Sequence, residues 1–237
     1  MVQIFSFILK NTLVFVGVFF LNNINMLIFF ILSNLNIIFL LIWVIFWVLV
    51  VFKYFKPHWI NNISYFNLFL VSVGIHIFFG VLVTWGQYYV WANGSELTKL
   101  LLTLPVSPET PFPRLFLFIR PFFENSLGYF LYYVFGRVWL NIFLSFLISG
   151  ALYLVFRVWN YYRVGFLKEG PLLLLILMLI SGFPGVIVSV ALGFTLSVLF
   201  FGVFYLRGIK TLTVEPIFIF STILSLLFTN IILLNVL

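Results

Sequence analysis

A chain of 237 residues that is 65% hydrophobic and 7% charged, with a mean hydropathy of +1.28, cannot cover a water-soluble fold with polar surface, so it reads as an all-α polytopic membrane protein. Its net charge of +7 comes from six lysines and six arginines against five glutamates and no aspartate; the basic residues are scattered near expected helix ends, which marks membrane orientation and argues against a nucleic-acid partner. Cysteine is absent, which removes disulfides, thiolate metal sites and cysteine nucleophiles.

Taken in order, the first expected span runs from about Gln3 to Leu21, carries Lys10 and Asn11, and is broken by NNIN at 22–25. Met26 to Val51 is long enough to cross, with Ser33, Asn34 and Asn36 marking a kink or a short preceding helix, and Lys53, Lys56, Pro57 and His58 closing it. Ile63 to Trp91 follows, with Asn67, Ser72 and His76 along it. At its far end Trp85, Tyr88, Tyr89 and Trp91 form an interfacial aromatic belt. The connection 92–124 is the one long polar-leaning stretch, with Pro105, Pro108, Pro111, Pro113 and Pro121; it is expected to hold a short surface helix, Glu96 to Leu104, and an extended proline segment.

Ser126 to Trp159 is an almost unbroken apolar run of 34 residues. As a helix it reaches about 50 Å, against a hydrocarbon layer of about 30 Å, so it must tilt, bend or run inside protein. Leu167 to Leu206 is a second overlong element, interrupted at Gly182, Phe183, Pro184 and Gly185, where a kink or a pair of half-helices is expected. Pro216 to Val236 is the last. The expectation is about six transmembrane helices, within a range of about five to seven, in a single integral membrane domain spanning 1–237. Loop charge places 53–62 and 157–170 on one side, cytoplasm or matrix, and 92–124 opposite.

Arg137 lies eleven residues into the 34-residue run, and a cation at such a depth costs a few kcal/mol unless it faces protein, water or a carboxylate. Asn141 and Ser145 follow at spacings of four, so the three share a helix face as a polar stripe that Ser149 continues. Together with His76 they are the proton-path candidates. The plainer reading is that Arg137 snorkels to lipid phosphate from a tilted helix. His76 has its own plain reading, a neutral imidazole hydrogen-bonded to a neighbouring helix. Without aspartate, a phosphate-binding glycine loop or a metal cluster, soluble-enzyme chemistry is nearly excluded, which leaves at most the proton-translocating part of a multi-subunit enzyme, and neither a cofactor nor a metal is expected.

The segment RVWLNIFLS, Arg137 to Ser145, resembles the arginine helix of subunit a of rotary F-type ATP synthases, an arginine with an asparagine four later and a small residue eight later. LFIRP at 117–121 resembles that family's approach to the same helix, and VAL at 190–192 with YL at 205–206 sit where its last long helix has similar residues. The resemblance implies that Arg137 faces the carboxylates of a rotating ring and keeps two aqueous half-channels apart. The sequence departs from the family at Phe146, where histidine is usual, at Ile187 and Phe194, which align with acidic and amide positions, and in having a further span after Leu206.

Two other readings stand beside it. WGQYYVW at 85–91 is similar to the tryptophan-rich signature of cytochrome c maturation proteins that handle haem, with Ala92 in place of its aspartate and Tyr89 in place of its central tryptophan; an aromatic belt explains the same residues and is preferred. The chain also reads as a structural or accessory membrane subunit of a respiratory oxidoreductase complex, contributing packing surface. In all but the haem reading the expected partners are other membrane subunits, a rotary ring among them, and lipids. Thirty-four phenylalanines suit a T-rich organelle genome, and the N-terminal stretch lacks both a cleavage pattern and an Arg/Ser-rich presequence. The expected location is the mitochondrial inner membrane, with a bacterial inner membrane as the alternative.

Overall fold

The computed structural model describes residues 32, 34–60, 62–107, 109–112, 114–162, 169–207 and 213–236. Every element among them is helical. The chain divides into two units, Met1–Leu41 and Ile42–Leu237. The expected first span, Gln3 to Leu21, lies outside the described residues. Arg137, Asn141, Ser145 and His76 all belong to the second unit.

Helix α1, Leu35–Phe55, ends where Lys56 and Pro57 interrupt the apolar run. Helix α2, Tyr65–Ala92, starts from Ser64, whose hydroxyl accepts the Asn67 N–H at 3.1 Å, and stops at Asn93 and Gly94. The short α3, Glu96–Thr103, is capped in the same way by Ser95 and carries Glu96 in its first turn, where a carboxylate suits the helix dipole. It matches the surface helix expected there. A ten-residue 3-10 stretch, Arg114–Phe123, then leads to α4, which runs 34 residues from Gly128 to Tyr161. Gly128 is required at this entry: a Cβ there would collide with the Phe123 carbonyl, and the Leu127 before it already has φ of 73°.

The expected element from Leu167 to Leu206 is two helices, α5, Gly170–Ser181, and α6, Gly185–Leu206. Gly182 separates them with φ 60° and ψ 172°, a conformation open to glycine and almost nothing else. The chain reverses there. Along α6 and the last helix, α7, Glu215–Val236, Gly185 meets Ser225, Ser189 meets Thr222, and Gly193 meets Phe218, so the two run antiparallel. Phe156, near the end of α4, touches both Phe194 and Phe218. Helix α6 therefore returns toward the end of the bundle from which α5 entered, and the pair forms a hairpin.

Helix α5 is apolar on every side, GPLLLLILMLIS, and a helix of that kind belongs in a core. All its residues except Leu172 are buried. It packs among α2, α4, α6 and α7. At the opposite end α2 and α4 pair through Gly80, against Trp139 and Ile142, and through Trp91, whose ring lies 5.1–6.3 Å from those of Tyr129, Phe130 and Tyr133.

Among the described residues four helices are long and apolar enough to cross a membrane, α1, α2, α4 and α6, and 17–22% of their most apolar windows is buried inside the chain. That is compatible with a membrane protein. The expected number of about six is not confirmed: Gln3 to Leu21 lies outside the described residues, α5 is 12 residues long, about 18 Å, and α7 counts over Glu215–Thr229 as a shorter apolar helix.

Candidate functional site

Arg137 sits in the middle of a π turn, Phe135–Trp139, inside α4. Such a widened turn inserts a residue into the helix and leaves carbonyls short of their usual donors. Asn141 supplies one: its side-chain amide donates to the Arg137 carbonyl at 3.0 Å. The guanidinium is held from the same helix, donating to the Tyr133 hydroxyl and lying 5.8 Å from the Tyr133 ring centroid. Ion pairs among the described residues join Lys99 to Glu96 and Arg120 to Glu124, and none includes Arg137. Both Arg137 and Asn141 face outward.

The expected polar stripe passes from surface to interior. Ser145 and Ser149 are 1% and 0% exposed, on the part of α4 that faces the core. Ser145 donates to the Asn141 carbonyl at 2.9 Å, whereas the Ser149 hydroxyl has no hydrogen-bond partner among the described residues. Four residues in register thus occupy two environments, with the change falling between Asn141 and Ser145.

His76 is buried between Trp43 and Phe146, ring centroids 4.8 and 5.4 Å away. Its Nδ1 lies 3.0 Å from the Ser72 carbonyl, an oxygen that only accepts, so Nδ1 carries the proton. The partner is the preceding turn of its own helix and not a neighbouring helix. His58 is exposed in the 3-10 turn Pro57–Ile60, whereas His76 is eleven residues into α2, roughly 16 Å along its axis, so the fold does not bring the two imidazoles together. No group of three His, Cys, Asp or Glu able to hold a metal occurs among the described residues.

Two polar clusters escape a reading by sequence. One joins α6 to α7: Ser189 lies 3.5 Å from Ser221 and 3.4 Å from Thr222, and Ser225 donates to the Gly185 carbonyl, all of them buried. Hydroxyls and small residues spaced by three and four along Ser221, Thr222 and Ser225 were the available signal. The other lies at the end of the bundle where α1, α2, α5 and α7 meet. Glu215 is fully buried there, and Lys53, 8% exposed, donates to the Ile60 carbonyl at 3.3 Å with its ammonium 5.1 Å from the Tyr65 ring centroid. Glutamate followed by proline at the head of an apolar run marks a helix start, which was legible; its burial was not.

The aromatic residues of the expected belt lie together with those of α4. Trp139 donates from Nε1 to the Thr84 hydroxyl at 3.1 Å, which puts the π turn level with the last two turns of α2, where Trp85, Tyr88 and Trp91 sit. No family model, curated protein or solved structure matches this chain.

Proposed function

We propose that the chain is a membrane subunit of an energy-transducing complex of the mitochondrial inner membrane, with Arg137 as the fixed cation of the proton-translocating sector of an ATP synthase. One observation carries this reading. Arg137 is positioned by Tyr133 and by the π turn, faces outward from the longest helix, and meets no carboxylate among the described residues. A guanidinium held in this way is arranged for a charge supplied by another chain. The resemblance of Arg137 to Ser145 to the arginine helix of subunit a names such a charge, the carboxylate of a rotating ring. In that setting Arg137 favours the ionised carboxylate as it passes, so a proton must leave before the ring moves on, and the cation bars protons from crossing directly between two half-channels. Asn141 keeps the widened turn intact beneath it.

The test is an Arg137→Gln variant assayed for proton-driven ATP synthesis in its own membranes, next to native electrophoresis and mass spectrometry of the complex that holds the chain. Loss of synthesis together with a ring subunit and soluble ATPase head in the same band is the expected result. Full synthesis in the variant, or co-migration with oxidoreductase subunits alone, refutes the reading.

A second reading is favoured by the alignment of Trp139 with Thr84. It places Arg137 level with Trp85 and Tyr88, so that the side chain reaches an interfacial lipid phosphate and the chain serves as an accessory subunit. Under this reading Arg137→Gln leaves proton-coupled activity intact.

A further inference from the structure

At the end of the unit away from Arg137, a groove of about 700 Å³ opens between the last turns of α4 and the first turn of α5. Leu154, Val158 and Leu172 form its apolar wall, and Tyr153, Arg157 and Asn160 form a polar rim, with Glu169 on the α5 side. Arg157 is exposed four residues before the end of α4, at the depth where a spanning helix meets lipid headgroups. Its Nη1 donates to the Tyr153 hydroxyl at 3.3 Å, and the guanidinium lies 5.9 Å from that ring, so its position is set from its own helix. Although Arg157 and Glu169 line one groove, they do not pair with each other, and neither joins an ion pair among the described residues.

A guanidinium positioned by Tyr153 and a carboxylate lining the same groove, beside an apolar wall, match a ligand that carries both signs and a hydrocarbon tail. We propose that this groove binds a membrane phospholipid with a phosphoethanolamine headgroup: phosphate on Arg157 and Asn160, primary ammonium on Glu169, and an acyl chain along Leu154, Val158 and Leu172. An anionic headgroup satisfies Arg157 and meets repulsion from Glu169. A quaternary choline brings the charge to Glu169 without an N–H to donate.

The experiment is lipid retention by the purified full-length chain in detergent, read by native mass spectrometry after exposure to dioleoyl phosphatidylethanolamine, phosphatidylcholine or phosphatidylglycerol. Phosphatidylethanolamine is expected to be retained over the other two, and Arg157→Gln and Glu169→Gln should each lower its retention about fivefold, the effect of one interfacial charge. Lys99→Gln, at the other end of the unit, should leave retention unchanged. Three results overturn the proposal: phosphatidylglycerol retained at least as well as phosphatidylethanolamine, retention insensitive to both groove variants, or displacement of the lipid by an equal concentration of soluble glycerophosphoethanolamine. Both substituted residues are exposed, so unchanged thermal unfolding of the variants is the expected control.

Discussion

Helix α5 and the π turn of α4 are drawn from the same apolar vocabulary and meet opposite fates. Around α5 the leucines of one helix are closed in by four others, and Leu174, Ile176, Leu177 and Leu179 have no exposed surface. Around Arg137, by contrast, Gly136, Arg137 and Asn141 all face outward and draw their contacts from their own helix. Apolarity does not separate these two places, because lipid is as apolar as a protein core. Length and small residues do. A 12-residue helix is too short to reach across a bilayer and is stable only when surrounded, whereas a 34-residue helix offers more surface than its neighbours can cover.

The largest expected effect therefore lies in the α5 core. Leu177→Ala should lower stability by about 2–5 kcal/mol, since it opens a cavity that four helices cannot close. The same substitution at Leu147, which is 52% exposed, should cost far less, about 0.5 kcal/mol. Thermal unfolding of both variants in detergent decides the matter, and equal losses would break the distinction between the two regions. Next in size is Gly182→Ala, which forces a side chain into φ 60° and ψ 172° at the hairpin turn and should cost about 1–3 kcal/mol. A neutral outcome there would mean that α5 and α6 do not reverse at Gly182.

Helix boundaries were the most legible part of the fold. Lys56 and Pro57 closed one expected span where α1 ends, and the surface helix expected from Glu96 begins there, because stop and start signals are local chemistry written within a few residues. The break at Gly182 was legible too, but not its direction: whether the chain continues or turns back depends on where Ser189, Gly193 and Gly185 find partners on α7, about thirty residues away. Arg137 stood out by charge alone. The π turn beneath it did not, since a widened turn depends on how Trp139 reaches Thr84 and how Asn141 caps a carbonyl. The burial of Glu215 and Lys53 was invisible for the same reason, being set by four helices that converge from distant parts of the chain.

A smaller effect probes the seam between α2 and α4. Thr84→Val removes the acceptor of the Trp139 Nε1–H and the donor to the Gly80 carbonyl while keeping the side chain's shape. The expected cost is about 0.6 kcal/mol, the average for a hydrogen bond between membrane helices. A loss of several kcal/mol would show that this seam is as tightly packed as the α5 core.

The smallest effect on the fold is expected at Gly136, and it is the one most closely tied to function. A Cβ at Gly136 meets nothing within 4 Å among the described residues, so none of these requires glycine beside Arg137. In membranes, glycine on an outward face lets another helix approach the backbone closely. If a partner subunit lies against the π turn, Gly136→Leu should leave the unfolding temperature of the isolated chain almost unchanged and sharply lower the yield of the assembled complex on native electrophoresis. The lipid-facing reading of Arg137 predicts the reverse for assembly, because a leucine added toward acyl chains disturbs nothing. Full assembly in the variant would therefore move Arg137 from a protein interface to the lipid surface, whatever its own substitution does to activity.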